Sequence, residues 1–151
     1  MLLEFVNPLN SYALAFPILE CIHIVGFTLS IGTIAIVDFR LLDIGMRHQT
    51  AAQLNNDMSV WTIVGLSVMV LSGMLLYSSD PDMYYLNWAF LLKMLFLVLA
   101  ILFHYTVHRQ AVMAGAATKW VAYVSLFLWS CVVFGGIFIG FLNPTLDIHK
   151  V

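Results

Sequence analysis

With 151 residues, 62% of them hydrophobic and only 9% charged, the chain lies far from soluble proteins, in which roughly a quarter of residues carry charge. A formal net charge of −2 with 6 Lys plus Arg leaves no basic surface to hold phosphates, which excludes nucleic acid as a partner. The mean hydropathy of +0.97 comes in continuous rather than alternating apolar runs, which excludes a transmembrane barrel and predicts an all-α four-helix transmembrane bundle in a lipid bilayer.

A crossing takes about 20 residues, so the chain has room for four spans and reads as one integral membrane domain over residues 1–151. Met1-Leu-Leu-Glu-Phe-Val-Asn-Pro8 has no basic leader and no small-residue cleavage site, so the first span is expected to direct insertion itself. Span 1 starts between residues 11 and 17 and runs to 42. It is long enough to cross a bilayer yet carries Glu20, His23, Asp38 and Arg40, and ionisable groups at membrane depth are costly enough to suggest a use. Gly26-x-x-x-Ser30 gives it a small-residue packing face.

A polar connection with Arg47 and His48 leads to Asp57, the expected N-cap of span 2 over 58–77. Ser78-Ser-Asp-Pro81 stops that span. Span 3 covers 87–109, with Gly115 ending the helix in the loop beyond. Span 4 covers 119–142, carries Gly136-x-x-x-Gly140 as a second packing pattern, and is broken by Asn143-Pro144. Arg40, Arg47, Arg109 and Lys119 cluster around the loops after spans 1 and 3, while Glu4, Asp80, Asp82 and Asp147 lie at the other end. The positive-inside bias therefore predicts an up-down-up-down topology with both termini outside. Cys21 and Cys131 fall within apolar spans and read as small buried side chains, not as a disulfide or a metal pair.

The residues that could carry chemistry lie on spans 1 and 3. Glu20 precedes His23 by three positions, on nearly the same helix face, where it can orient the imidazole or share a proton with it. Lys93 and His104 lie along one stripe of span 3, with His108 a turn farther on. At about 1.5 Å per residue from the outer end, Lys93 lies near 9 Å, His104 near 25 Å and His23 between about 9 and 18 Å. The remaining gap of about 7 Å is one that helix tilt can narrow.

Two histidines on separate helices suit the axial positions of a b-type haem. His23 with His104 is the best pair, with Lys93 or Arg40 on a propionate and His108 as an alternative ligand. A copper site of His23 with Met69 and Met74 is a second reading, since imidazole and thioether suit Cu(I), although methionine is also ordinary filler. A third is a cofactor-free accessory or scaffold subunit, either a homo-oligomer or part of a larger membrane complex. A proton or ion pathway through Glu20, His23 and Lys93 also fits. Asp38 and Arg40 lie near a helix end, where an ion pair with Arg109 or snorkelling accounts for them, and His48 and His149 read as solvated. With no nucleophile beside a base at a recognisable spacing and no phosphate loop, hydrolase chemistry is excluded.

Glu20-x-x-His23-x-x-Gly26, Gly32 and Asp38-Phe-Arg-Leu-Leu-Asp-Ile-Gly45 resemble a family of small four-span bacterial membrane proteins of unknown function. Asn87-x-x-Phe90-x-x-Lys93, Phe103-His104 and Ser125-Leu-x-Leu-Trp129 add to the likeness. The resemblance covers nearly the whole chain. A fainter one is to the membrane part of CopD-type copper-resistance proteins and to four-helix b-type cytochromes. It implies a four-helix bundle in a bacterial inner membrane and draws attention to Glu20, His23, Asp38, Arg40, Lys93 and His104. This chain has Gly135-Gly136 where the family pattern implies Gly followed by Arg.

Overall fold

The computed structural model describes residues 12, 14–85, 87–116 and 118–142. Glu4, the Asn143-Pro144 breaker, Asp147 and His149 lie outside the described residues. Among those described, all regular structure is helical: α1 (Ala15–Leu41), α2 (Ala51–Ser79), the short α3 (Pro81–Tyr85), α4 (Trp88–Phe103), a π-helical turn (His104–His108), α5 (Arg109–Met113) and α6 (Lys119–Phe141). The α4, π and α5 segments run on as one span. With α1, α2 and α6 it makes four helices long and apolar enough to cross a membrane.

Helix ends follow local chemistry. α2 begins at Ala51, ahead of the expected Met58, because Thr50 and Gln53 form a capping box: the Thr50 hydroxyl accepts from Gln53 N at 3.2 Å and Gln53 Oε1 accepts from Thr50 N at 3.0 Å. Asp57 is thus an interior residue of α2 and not its cap. α4 is capped by Asn87, whose Oδ1 accepts from Ala89 N at 2.9 Å while its Nδ2 donates to the Ile139 carbonyl on α6 at 2.9 Å. Past α5 the chain turns at Gly115, where φ is +69°, a left-handed backbone that glycine adopts without strain.

The bundle is built from two helix pairs. α1 packs along α2, and the pattern Gly26-x-x-x-Ser30 is one side of that contact. A Cβ placed on Gly65 of α2 would lie 2.6 Å from Ser30 N and 2.9 Å from the Gly26 carbonyl, so only hydrogen permits this backbone approach. α4 packs along α6, where a Cβ on Gly135 would lie 3.0 Å from the Lys93 Cβ. The pairs join through α1 against α6 and through α2 against α5.

At one end, which we call the basic end, Asp43 receives Lys119 at 3.2 Å and Arg40 at 3.4 Å, tying the turn after α1 to the start of α6. The hydrogen bond and charge of Lys119, with Arg40 adding to them, hold the exposed Asp43 carboxyl below its ordinary 3.8. A depressed carboxyl stabilises above its unfolded value and ceases to as pH falls through its folded one, so the tie persists at neutral pH and opens only in acid below 3.8.

Midway along the helices, Ile34, Leu66, Met69, Ala100, Trp129 and Val132 close into a buried apolar layer drawn from all four spans. Polar side chains collect on either side of it. The close contact at Gly65 carries a direct prediction. Gly65→Leu is expected to lower stability in detergent by roughly 1–3 kcal/mol or more, the overpacking range, whereas Gly32→Ala, whose Cβ would meet nothing within 4 Å, is expected to leave the melting temperature unchanged. Equal melting of the two variants would refute the close-packed interface.

Candidate functional site

The richest polar cluster lies between the apolar layer and the basic end, and its centre is Asp38. This carboxylate is 0% exposed. Its Oδ1 meets Nε2 of His108 in the π-turn at 2.7 Å, and its Oδ2 accepts from the Ser125 hydroxyl of α6 at 2.6 Å. An unpaired carboxylate at this depth costs several kcal/mol, so two partners from two other helices are what make the position tolerable. With Asp38 ionised, His108 carries its proton on Nε2, and its other nitrogen, Nδ1, is buried without a partner.

His104 stacks on His108 with ring centroids 5.2 Å apart and interplanar angle 23°. The π-turn explains the stacking. Widening the helix to an i→i+5 pattern over His104–His108 brings the two rings almost into register, and such turns recur at functional sites. His104 is 5% exposed and its Nδ1 is also without a partner. Beside it, Asn55, Ser59 and Thr62 of α2 and Arg109 of α5 line a small cavity. The Thr62 and Thr33 hydroxyls hydrogen-bond across α1 and α2 at 2.8 Å.

On the far side of the apolar layer the polar groups are sparser. His23 Nδ1 meets the Ser72 hydroxyl at 3.0 Å, and the ring packs against Gly73, where a Cβ would lie 3.1 Å away. Lys93 passes between α4 and α6 with its Nζ beside Gly136, 3.6 Å from where a Cβ would sit. Lys93 uses the room that Gly136 leaves. Glu20 is exposed and makes no hydrogen bond with His23 among the described residues. Outside the spans, in α3, burial and then the charges of Glu20 and Asp80 push the Tyr84 phenol above 10.0.

The structure therefore divides the residues singled out from the sequence. It brings together Asp38, His104 and His108, with Ser125 and Asn55 added. His23 and Lys93 form a separate level. His23 sits at Ser72 of α2 and His104 beside Thr62, positions about 15 Å apart along that helix. Met69 is buried in the apolar layer, while Met74 is 63% exposed on α2. Asp38 does not pair with Arg109, as its position near a helix end suggests. Arg40 turns away to the Gln49 carbonyl at 2.6 Å and to Asp43. Among the described residues, no three His, Cys, Asp or Glu side chains converge in a metal-binding group.

Fold and site define a class: a four-span helical membrane protein with a carboxylate–imidazole pair buried between its helices. Within that class, the chain belongs to DUF6644, a family of unknown function, whose pattern matches residues 11–142. No curated protein and no solved structure matches the chain.

The Asp38 joint makes a prediction about stability. Asp38→Leu leaves His108 Nε2 and Ser125 Oγ without their acceptor and is expected to cost roughly 3–5 kcal/mol. Ser125→Ala, which removes one hydrogen bond to the charge, is expected to cost less, about 1.5–3 kcal/mol. Denaturant unfolding in mild detergent checks the order, and an Asp38→Leu protein as stable as the parent would contradict it.

Proposed function

We propose that the protein is a proton-handling membrane protein in which the Asp38–His108 pair, with His104 stacked beside it, binds and releases a proton within the bilayer. The observation that carries this reading is the 2.7 Å contact between a fully buried carboxylate and a fully buried imidazole. Buried carboxylates and histidines at membrane depth are costly, and chains of them form the proton relays of pumps and transporters. The apolar layer next to them would keep that proton from leaking to His23 and Lys93 on the other side. A transporter or a subunit of a proton-coupled complex needs such a barrier in its resting state.

The haem reading rests on His23 and His104. Both rings would have to lie within about 2 Å of one iron, and the packed residues Met69 and Leu66 stand on α2 between their levels. The roomy groove between α4 and α6, about 310 Å³, is walled by residues such as Leu92, Phe96 and Phe134 and carries no histidine. Geometry thus favours the proton over the haem. Copper at His23 with Met69 and Met74 is favoured less still, because Met74 faces outward.

We further infer, from Arg40, Arg47, Arg109 and Lys119 at one end, that the basic end faces the cytoplasm of a bacterial inner membrane and both termini face outward. Gly140, where a Cβ would meet nothing within 4 Å, leaves α6 a surface for a second copy or a partner subunit.

Proteoliposomes loaded with a pH-sensitive dye test the reading. Under an imposed membrane potential the protein is expected to admit protons, and Asp38→Asn to slow uptake by about 10²-fold, the lower contribution of a positioned proton-transfer group. Uptake no faster than in protein-free vesicles would overturn it. A reduced-minus-oxidised spectrum of the same preparation is expected to be flat, and haem bands in it would support the competing reading.

A further inference from the structure

Beside the Asp38–His108 pair, two residues that line one small space each carry a buried nitrogen without a partner. Asn55 Nδ2 and His104 Nδ1 are both buried without a protein partner, each on a residue only 5% exposed. Both residues line the cavity between α2 and the π-turn, together with Ser59, Thr62 and Arg109. Buried amide and imidazole nitrogens are satisfied in nearly all folded proteins, and one left bare costs about 1–3 kcal/mol. Such a pair, on residues of two helices that line one space, points to a ligand between them.

Volume decides which ligand. The cavity offers about 10 Å³ to the centre of a water-sized sphere, and one water needs about 10–15 Å³ by that measure. A phosphate or a hydrated metal ion is larger than that space. The chemistry agrees, because Asn55 Nδ2–H is a donor, neutral His104 with its proton on Nε2 offers Nδ1 as an acceptor, and a water molecule satisfies one of each at once.

We propose that this cavity is a one-water site, and that its water is the port through which His104 exchanges protons with solvent at the basic end. Arg109, exposed at the mouth, marks the way out. The oxygen accepts from Asn55 Nδ2 and one O–H donates to His104 Nδ1. When a hydronium reaches the site, an O–H bond breaks and an N–H bond forms on Nδ1, leaving a neutral water and an imidazolium. Release runs the same bonds in reverse. The proposal rests on the proton-handling reading for its purpose, but the water itself does not.

Nitrogen-15 histidine spectra of the full-length protein in bilayers, with magnetisation transferred from water protons, test the site directly. His104 Nδ1 is expected to show a water contact. Asn55→Leu, which fills the cavity and removes the donor, is expected to abolish that contact while the His108–Asp38 hydrogen-bond signal stays. Asn55→Ala, which also removes the donor but leaves room for the water, is expected to keep a weakened contact and serves if the leucine variant fails to fold. No water contact at His104 in the parent protein, or a contact unchanged in Asn55→Leu, would overturn the proposal. A parent protein that shows the water contact but no proton uptake in vesicles leaves the site standing and removes the transport reading.

Discussion

Everything at the basic end depends on the two oxygens of Asp38. One is held by the π-turn and the other by α6, so a single side chain of α1 joins three of the four spans. The requirement is physical before it is functional. A carboxylate taken out of water must find partners in the protein, whereas well-packed apolar side chains in place of the whole Asp38, His108 and Ser125 set would have no such need. Retaining the charge, and bending the third span into a π-turn to bring two imidazoles beside it, is an arrangement that stability alone does not ask for. That surplus is the physical basis for assigning the cluster a role in moving protons.

The second constraint is the apolar layer. Ile34, Leu66, Met69, Ala100, Trp129 and Val132 close the middle of the bundle, and each polar level borders it from one side only. Toward the basic end lie Asp38, His104 and His108, with the small cavity at Asn55. Beyond the layer lie His23 with Ser72, and Lys93 beside Gly136. Among the described residues, the two levels have no chain of titratable groups to pass protons through six packed side chains of this layer, so net passage is expected to require the helices to move. The seam available for such motion is the one between the pairs, since the backbone contact at Gly65 locks α1 to α2, and Asn87 locks α4 to α6.

Much of this was legible in the sequence. Hydropathy and loop charge are enough to find the four spans, and the family resemblance singles out Asp38, Lys93 and His104. What one-dimensional reading could not supply was depth and partner. Counting residues along helices leaves His23 and His104 within tilt of each other, and only the packing of Ser72 and Thr62 on α2 shows them on different levels. Asp38 reads as a helix-end charge because its partners, His108 and Ser125, are 70 and 87 residues away. Ser125 is present in the quoted motif, but a serine in an apolar helix carries no sign of what it faces. Thr50-x-x-Gln53 is the exception, since a capping box is written in consecutive residues and was available to set the start of α2 in place of Asp57.

The central claim is that Asp38 changes protonation while the protein stays folded. Infrared difference spectra recorded across a pH titration, on the protein in lipid, report this at the carboxyl stretch, a band that carboxylates lack. The account predicts a carboxyl band that appears as the pH falls, tracks the titration reversibly, and is absent from Asp38→Asn. An Asp38 that holds one protonation state over the whole range in which the protein is folded would contradict it, and would reduce the pair to a latch between helices.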